Sequence, residues 1–94
     1  MKIIVKKPTE EEVQEMKHQP IWEKEVSTFP WHYDDQETCL ILEGEVTLKT
    51  KTEIVSFKAG DLVVFPKGLD CTWDIKSPIR KHYKFGCEGI MAHN

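Results

Sequence analysis

Four residues of this sequence carry side chains suited to chemistry: the carboxylate of Glu37, the thiols of Cys39 and Cys71, and the imidazole of His82. Alternation along ETCLILEG puts Glu37, Cys39 and Ile41 on one face and Thr38, Leu40 and Leu42 on the other. Both faces are largely apolar, so this strand is expected to be covered on both sides, and Glu37 then sits at a rim or in a cavity. In CTWDI, Cys71, Trp73 and Ile75 point one way while Thr72 and Asp74 point to water. RKHYKF separates Arg80, His82 and Lys84 from Lys81, Tyr83 and Phe85, and alternation within the segment leaves open which set faces inward. A thiol turns nucleophilic when a base or a positive charge lowers its pKa, and His82 is the candidate base for Cys71. Glu37, Cys71 and His82 are therefore the catalytic candidates. Each has a plainer role open to it: a buried cysteine is a small inert hydrophobe, and Glu37 can hydrogen-bond Tyr33 or a backbone amide.

Aromatic rings supply the setting. Trp31, Tyr33 and Trp73 offer flat, amphipathic walls of the kind that hold small organic ligands around a few polar groups. With Glu37, Cys39, Cys71 and His82 they form the expected ligand-binding set; tryptophans packed in a core are the plainer alternative. His18 and His93 are expected to be exposed and are assigned no role.

The elements that must position these residues are short. PTEEEVQEMKHQP predicts one helix, with Thr9 as N-cap, Glu12 closing a capping box, acidic residues in the first turn and Pro20 beyond the end; Val13 and Met16 would dock it on the rest of the fold. From Ile21 onward the pattern predicts strands at Trp22–Ser27, Trp31–Tyr33, Thr38–Leu42, Val46–Thr50, Glu53–Phe57, Leu62–Phe65, Cys71–Ile75 and Lys81–Phe85. Turns are expected at Asp34-Asp35, Glu43-Gly44, Ala59-Gly60 and Lys67-Gly68. Short strands at such spacing imply an all-β sandwich or barrel.

Composition bounds the rest. A chain of 94 residues makes one domain, residues 1–94, with neither repeat nor linker. Its net charge of −3 comes from interspersed Lys and Glu, which gives no basic stripe for nucleic acid and no motif for a membrane surface. The start MKIIVKKPTEEE does not read as a signal peptide, and no apolar run reaches membrane-spanning length, so a cytoplasmic location is expected. Cys39, Cys71 and Cys87 form an odd set without CxxC spacing and are read as reduced thiols.

Two motifs carry a family resemblance. Glu37, the six residues TCLILE and Gly44 match the end of the first cupin motif; Gly60, DLVVF, Pro66, Lys67, Gly68, LD and Cys71 match the second except at the last place, where metal-binding cupins keep a histidine. Fifteen residues separate Gly44 from Gly60, as in minimal cupins. The chain resembles a small RmlC-like cupin of the subfamily related to ureidoglycine aminohydrolase. That resemblance implies a cupin jelly-roll β-barrel with one short N-terminal helix. It also exposes departures. The paired histidines expected before the glutamate fall at Trp31 and Tyr33, or at Pro30 and His32, depending on the spacing. Glu37 and Cys71 would need His32 or His82 to complete three metal ligands. Cofactors are therefore none, or a divalent metal such as zinc or manganese held by Glu37, Cys71 and His32. The expected function is binding of a small polar metabolite, nitrogen-rich or carboxylated, in the barrel mouth, with an enzymatic reaction left open. A metal-dependent enzyme with a Glu/Cys/His site and a metal-free binding or structural protein are the alternatives. A homodimer is expected through strand edges.

Overall fold

The computed structural model describes residues 2–86; Cys87 and His93 lie outside them. The helix forms where its caps dictate. Thr9 Oγ1 accepts the Glu12 N–H at 3.1 Å, and Glu12 Oε1 accepts the Thr9 N–H at 2.8 Å, so α1 runs Glu10–Met16. Its buried Met16 packs with Leu40 and Leu62, and Val13 and Leu42 border that cluster.

Seven antiparallel strands surround the main core: β1 (Ile4–Lys6), β2 (Ile21–Lys24), β3 (Ser27–His32), β4 (Glu37–Lys49), β5 (Ile54–Lys58), β6 (Leu62–Phe65) and β7 (Asp70–Phe85). The sequence pattern divides β4 and β7 into two strands each; the structure makes each of them one. They pair along their length, from Glu37 opposite Phe85 to Lys49 opposite Thr72, with bulged register between Ile41 and Val46. The expected turn at Glu43-Gly44 is this bulge. Gly44 has φ +99°, and a Cβ there would come within 2.8 Å of Ile79 Cα and closer still to the Pro78 carbonyl, so only glycine lets the strands approach. Pro78 is tolerated because it falls at the same irregularity and is not a register partner of β4.

The bulge divides the sheet into two halves that share β4 and β7. One half has the order β1-β6-β4-β7-β2 and uses Glu37–Ile41 with Ile79–Phe85. The other places β5 and β3 outside the remaining lengths of β4 and β7. Rings from both halves meet between them: Phe57 of β5 lies 5.8 Å from Phe65 of β6, and Trp73 of β7 lies 5.7 Å from Phe65. The bulge also shifts phase. Glu37, Cys39 and Ile41 face the core before it, and Val46 and Leu48 after it, whereas odd positions of β7 face inward from Cys71 to Lys81. Residues 37–41 are all buried, because α1 covers Leu40 on the outer face while the core takes the inner one. No helix among the described residues is long and apolar enough to cross a membrane.

Candidate ligand-binding site

A cavity of about 240 Å³ opens between the halves. Its floor is an ion pair. Lys81, inward on β7, donates to Glu37 Oε2 at 3.0 Å, and each of the two side chains is only 5% exposed. Lys81 also donates to Cys39 Sγ at 3.3 Å. The ammonium stands 4.8 Å from the ring centre of Trp73 and 4.9 Å from that of Trp22, so two indoles share its charge. Burial opposes that charge, but the facing Cys39 sulfur and Glu37 carboxylate more than offset it and hold Lys81 above the ordinary lysine value. Burial also pushes the Cys39 thiol far up. Cys39 therefore meets Lys81 as a neutral thiol, and Glu37 is the charge that keeps the ammonium protonated.

The walls are rings. Phe29 stacks on Trp73 with centroids 6.1 Å apart, Trp31 meets Tyr33 edge-on, and Tyr83 and Phe85 complete the opening opposite. Tyr33 is fixed from three directions. Its ring stacks 4.9 Å from Phe65, its hydroxyl accepts Trp73 Nε1–H at 3.2 Å, and its backbone exchanges hydrogen bonds with the turn at Gly68 and Leu69. Burial, joined by the charge of Glu37, pushes the Tyr33 phenol far above its ordinary range, so it stays a neutral O–H.

Residues 11–83 match the EutQ-like cupin domain family. The chain belongs to that family. A DUF861-family protein from Thermotoga maritima is 48% identical, with a TM-score of 0.85 over 89% of this chain and 99% of its own. The EutQ protein of Clostridium difficile is 23% identical, with a TM-score of 0.65; 70% of this cupin aligns to 52% of that chain, about half its length. A cupin superfamily protein from Desulfitobacterium hafniense shares the fold at 11% identity, with a TM-score of 0.58 over 87% of this chain and 74% of its own. No curated protein matches this cupin.

The cavity of this cupin gathers some of the residues singled out from sequence and leaves others aside. Trp31, Tyr33, Glu37 and Trp73 line it, and Cys39 lies under Lys81 at its floor. Cys71 faces the core, as alternation requires, but its Sγ turns to the Trp31 carbonyl at 3.7 Å and does not line the cavity. Burial, with the nearby charges of Asp70 and Glu37 adding, pushes its thiol up to about 11. His82 is corrected outright as the base for Cys71. It lies on the outer face of β7 beside α1, where Nδ1 is 2.9 Å from the Gln19 carbonyl, because Lys81 and Tyr83 hold the inward phase. His32 is corrected as a metal ligand: it is half exposed, with Nδ1 2.7 Å from Asp70 Oδ1.

The metal reading fails on the same geometry. Glu37 is engaged by a lysine, Cys71 by a carbonyl and His32 by an outer aspartate, and among the described residues no three His, Cys, Asp or Glu side chains converge. The donor set does not fit a divalent ion, and the positive charge beside Glu37 is the ammonium of Lys81. Sequence reasoning missed Trp22, Phe29, Lys81, Tyr83 and Phe85 as cavity residues. Alternation carried unbroken from Cys71 across Pro78 would have found the last three.

Proposed function

We propose that this cupin binds a small polar metabolite, nitrogen-rich or carboxylated, in the ring-walled cavity above Glu37 and Lys81. The observation that carries the reading is a fully buried ion pair at the floor of an otherwise aromatic pocket. Stability does not account for such a pair: apolar replacements of similar volume are often neutral or stabilising by about 1–4 kcal/mol. The pair gives a ligand something to orient against, while the rings exclude water and supply contact area. At about 240 Å³ the cavity suits a compact, flat molecule rather than a nucleotide.

A metabolite screen by thermal shift, read together with tryptophan emission, tests this. A ligand at a hundredfold excess over its Kd stabilises by about 2.7 kcal/mol, a rise of roughly 10 °C or more for a chain of this size. Trp73→Phe should reduce the emission change, with Trp22 and Trp31 of the same lining supplying what remains. A library of neutral, anionic and cationic small molecules that produces neither saturable signal would refute the proposal.

A further inference from the structure

We infer that the group a ligand sets on this floor is neutral and carries a hydrogen-bond donor beside an acceptor, as a primary amide or lactam does, and that carboxylates and ammonium groups are rejected there. The inference rests on the binding proposal and narrows its ligand. An ammonium has three N–H donors. Lys81 gives one to Glu37 and one to Cys39, which leaves a third, and Lys81 lines the cavity. Tyr33 accepts from Trp73 and keeps its own O–H to donate into the same space. Glu37 takes Lys81 on Oε2 and has the neutral Cys39 thiol as a further hydrogen-bonding partner, and because a carboxylate offers about four lone-pair sites it keeps acceptor capacity toward the cavity that it lines. The floor thus shows donors and an acceptor side by side.

Its charges already cancel. A carboxylate placed against Lys81 would bring a second negative charge beside Glu37 into a site walled by rings, where uncompensated charge is costly. A cation would find the indoles of Trp22 and Trp73 already sharing the Lys81 ammonium and Glu37 already paired. A neutral amide meets neither penalty: its carbonyl accepts from Lys81 or Tyr33, and its N–H donates to Glu37.

Benzamide, benzoate and benzamidinium have nearly the same shape and carry charges of zero, minus one and plus one. Calorimetric titration of each into the wild-type protein should show benzamide binding at least tenfold tighter than the other two. Glu37→Gln leaves the Lys81 charge uncompensated and should move the preference to benzoate; Lys81→Met leaves the Glu37 charge and should move it to benzamidinium. Benzoate or benzamidinium matching benzamide in the wild type overturns the inference but leaves the binding proposal standing. All three failing to bind the wild type also overturns it, and the binding proposal then stands or falls on the metabolite screen. A variant that does not fold leaves the wild-type comparison decisive by itself.

Discussion

Breaking the buried pair one charge at a time should cost far more than removing both. Lys81→Met keeps the unbranched stem and deletes the ammonium, leaving Glu37 charged at a site where its side chain is 5% exposed. Removing one partner of a buried pair costs about 3–5 kcal/mol, against roughly 5–15 kcal/mol of total stability for a small domain. At about 4 °C or more per kcal/mol, the melting temperature should fall by at least roughly 12 °C. Glu37→Leu should cost a similar amount, and the double variant less than either, because nothing charged is then left buried. The two single variants also differ from the wild type in pH dependence. Lys81 is held above its ordinary value in the wild type, so its contribution is complete below the unfolded value of about 10.4 and is lost as pH rises through the higher folded one. In Glu37→Leu the carboxylate's share of the offset is gone and Lys81 keeps only its hydrogen bond to the neutral Cys39 sulfur, which carries no charge to set against burial, so Lys81 should fall below the ordinary value. The penalty is then full at neutral pH and fades as pH climbs toward about 10.4. Urea melts of the four proteins from pH 7 to pH 10 measure the coupling and the contrast in pH dependence: Lys81 should contribute no change to the wild type over this range, while Glu37→Leu should recover stability toward its upper end. Single variants that lose less than about 1 kcal/mol each and add in the double would show that the two side chains are not coupled, and would sink the electrostatic account of the floor.

Glycine substitutions should separate space from backbone strain. Gly60 (φ +97°) has Lys7 Nζ 3.8 Å from a built Cβ and nothing closer, so Gly60→Ala should cost about 1 kcal/mol, while Gly44→Ala adds the clash with Pro78 and Ile79 and should cost at least twice that in denaturant melts. Equal midpoints for the two variants would contradict the bulge packing. Native protein treated with iodoacetamide at pH 7.5 should show no adduct on Cys39 or Cys71 by peptide mapping, and labelling of Cys71 should grow as pH approaches 11; rapid labelling at neutral pH would contradict the burial of both thiols. β1 pairs with β6 on one side and exposes Ile4 and Val5, so a second copy is expected to cover this edge as a homodimer. Light scattering at micromolar concentration that shows only the monomer mass would remove that expectation.

How far the sequence could be read depended on whether a signal was local. The capping box of Thr9 and Glu12 is contained within four residues, and α1 begins where it says. The inward set of Cys71, Trp73 and Ile75 follows from alternation within one short run and holds in the core. Pro78 lies in the gap between the expected strands Cys71–Ile75 and Lys81–Phe85, where a proline argues for a strand end. Without it, counting by twos from Cys71 reaches Lys81, Tyr83 and Phe85 and sends His82 outward. What permits Pro78 is the bulge at Gly44, a partner more than thirty positions away, and no window along the chain contains both. Trp22 and Phe29 were invisible for a related reason: their place beside Trp73 depends on which strands flank β7, and that is set by the whole topology.

The same distance along the chain hid the counter-charge of Glu37. A carboxylate on the inward phase of a strand covered on both faces needs a positive group within about 4 Å, because an unpaired one would be driven neutral or would destabilise the fold. The motif comparison directed attention to histidines that could gather a metal, and the histidines of the described residues lie elsewhere: His82 against Gln19, His32 against Asp70. The counter-charge comes instead from the strand next to Glu37, through a residue whose long stem lets its ammonium sit between two indoles. A lysine in that place gives charge and directed N–H groups but no open coordination position. A molecule entering the cavity would therefore be held by hydrogen bonds and ring contact, and the proposed binding turns on how an already paired Glu37 and Lys81 could share their remaining donors and acceptors with it.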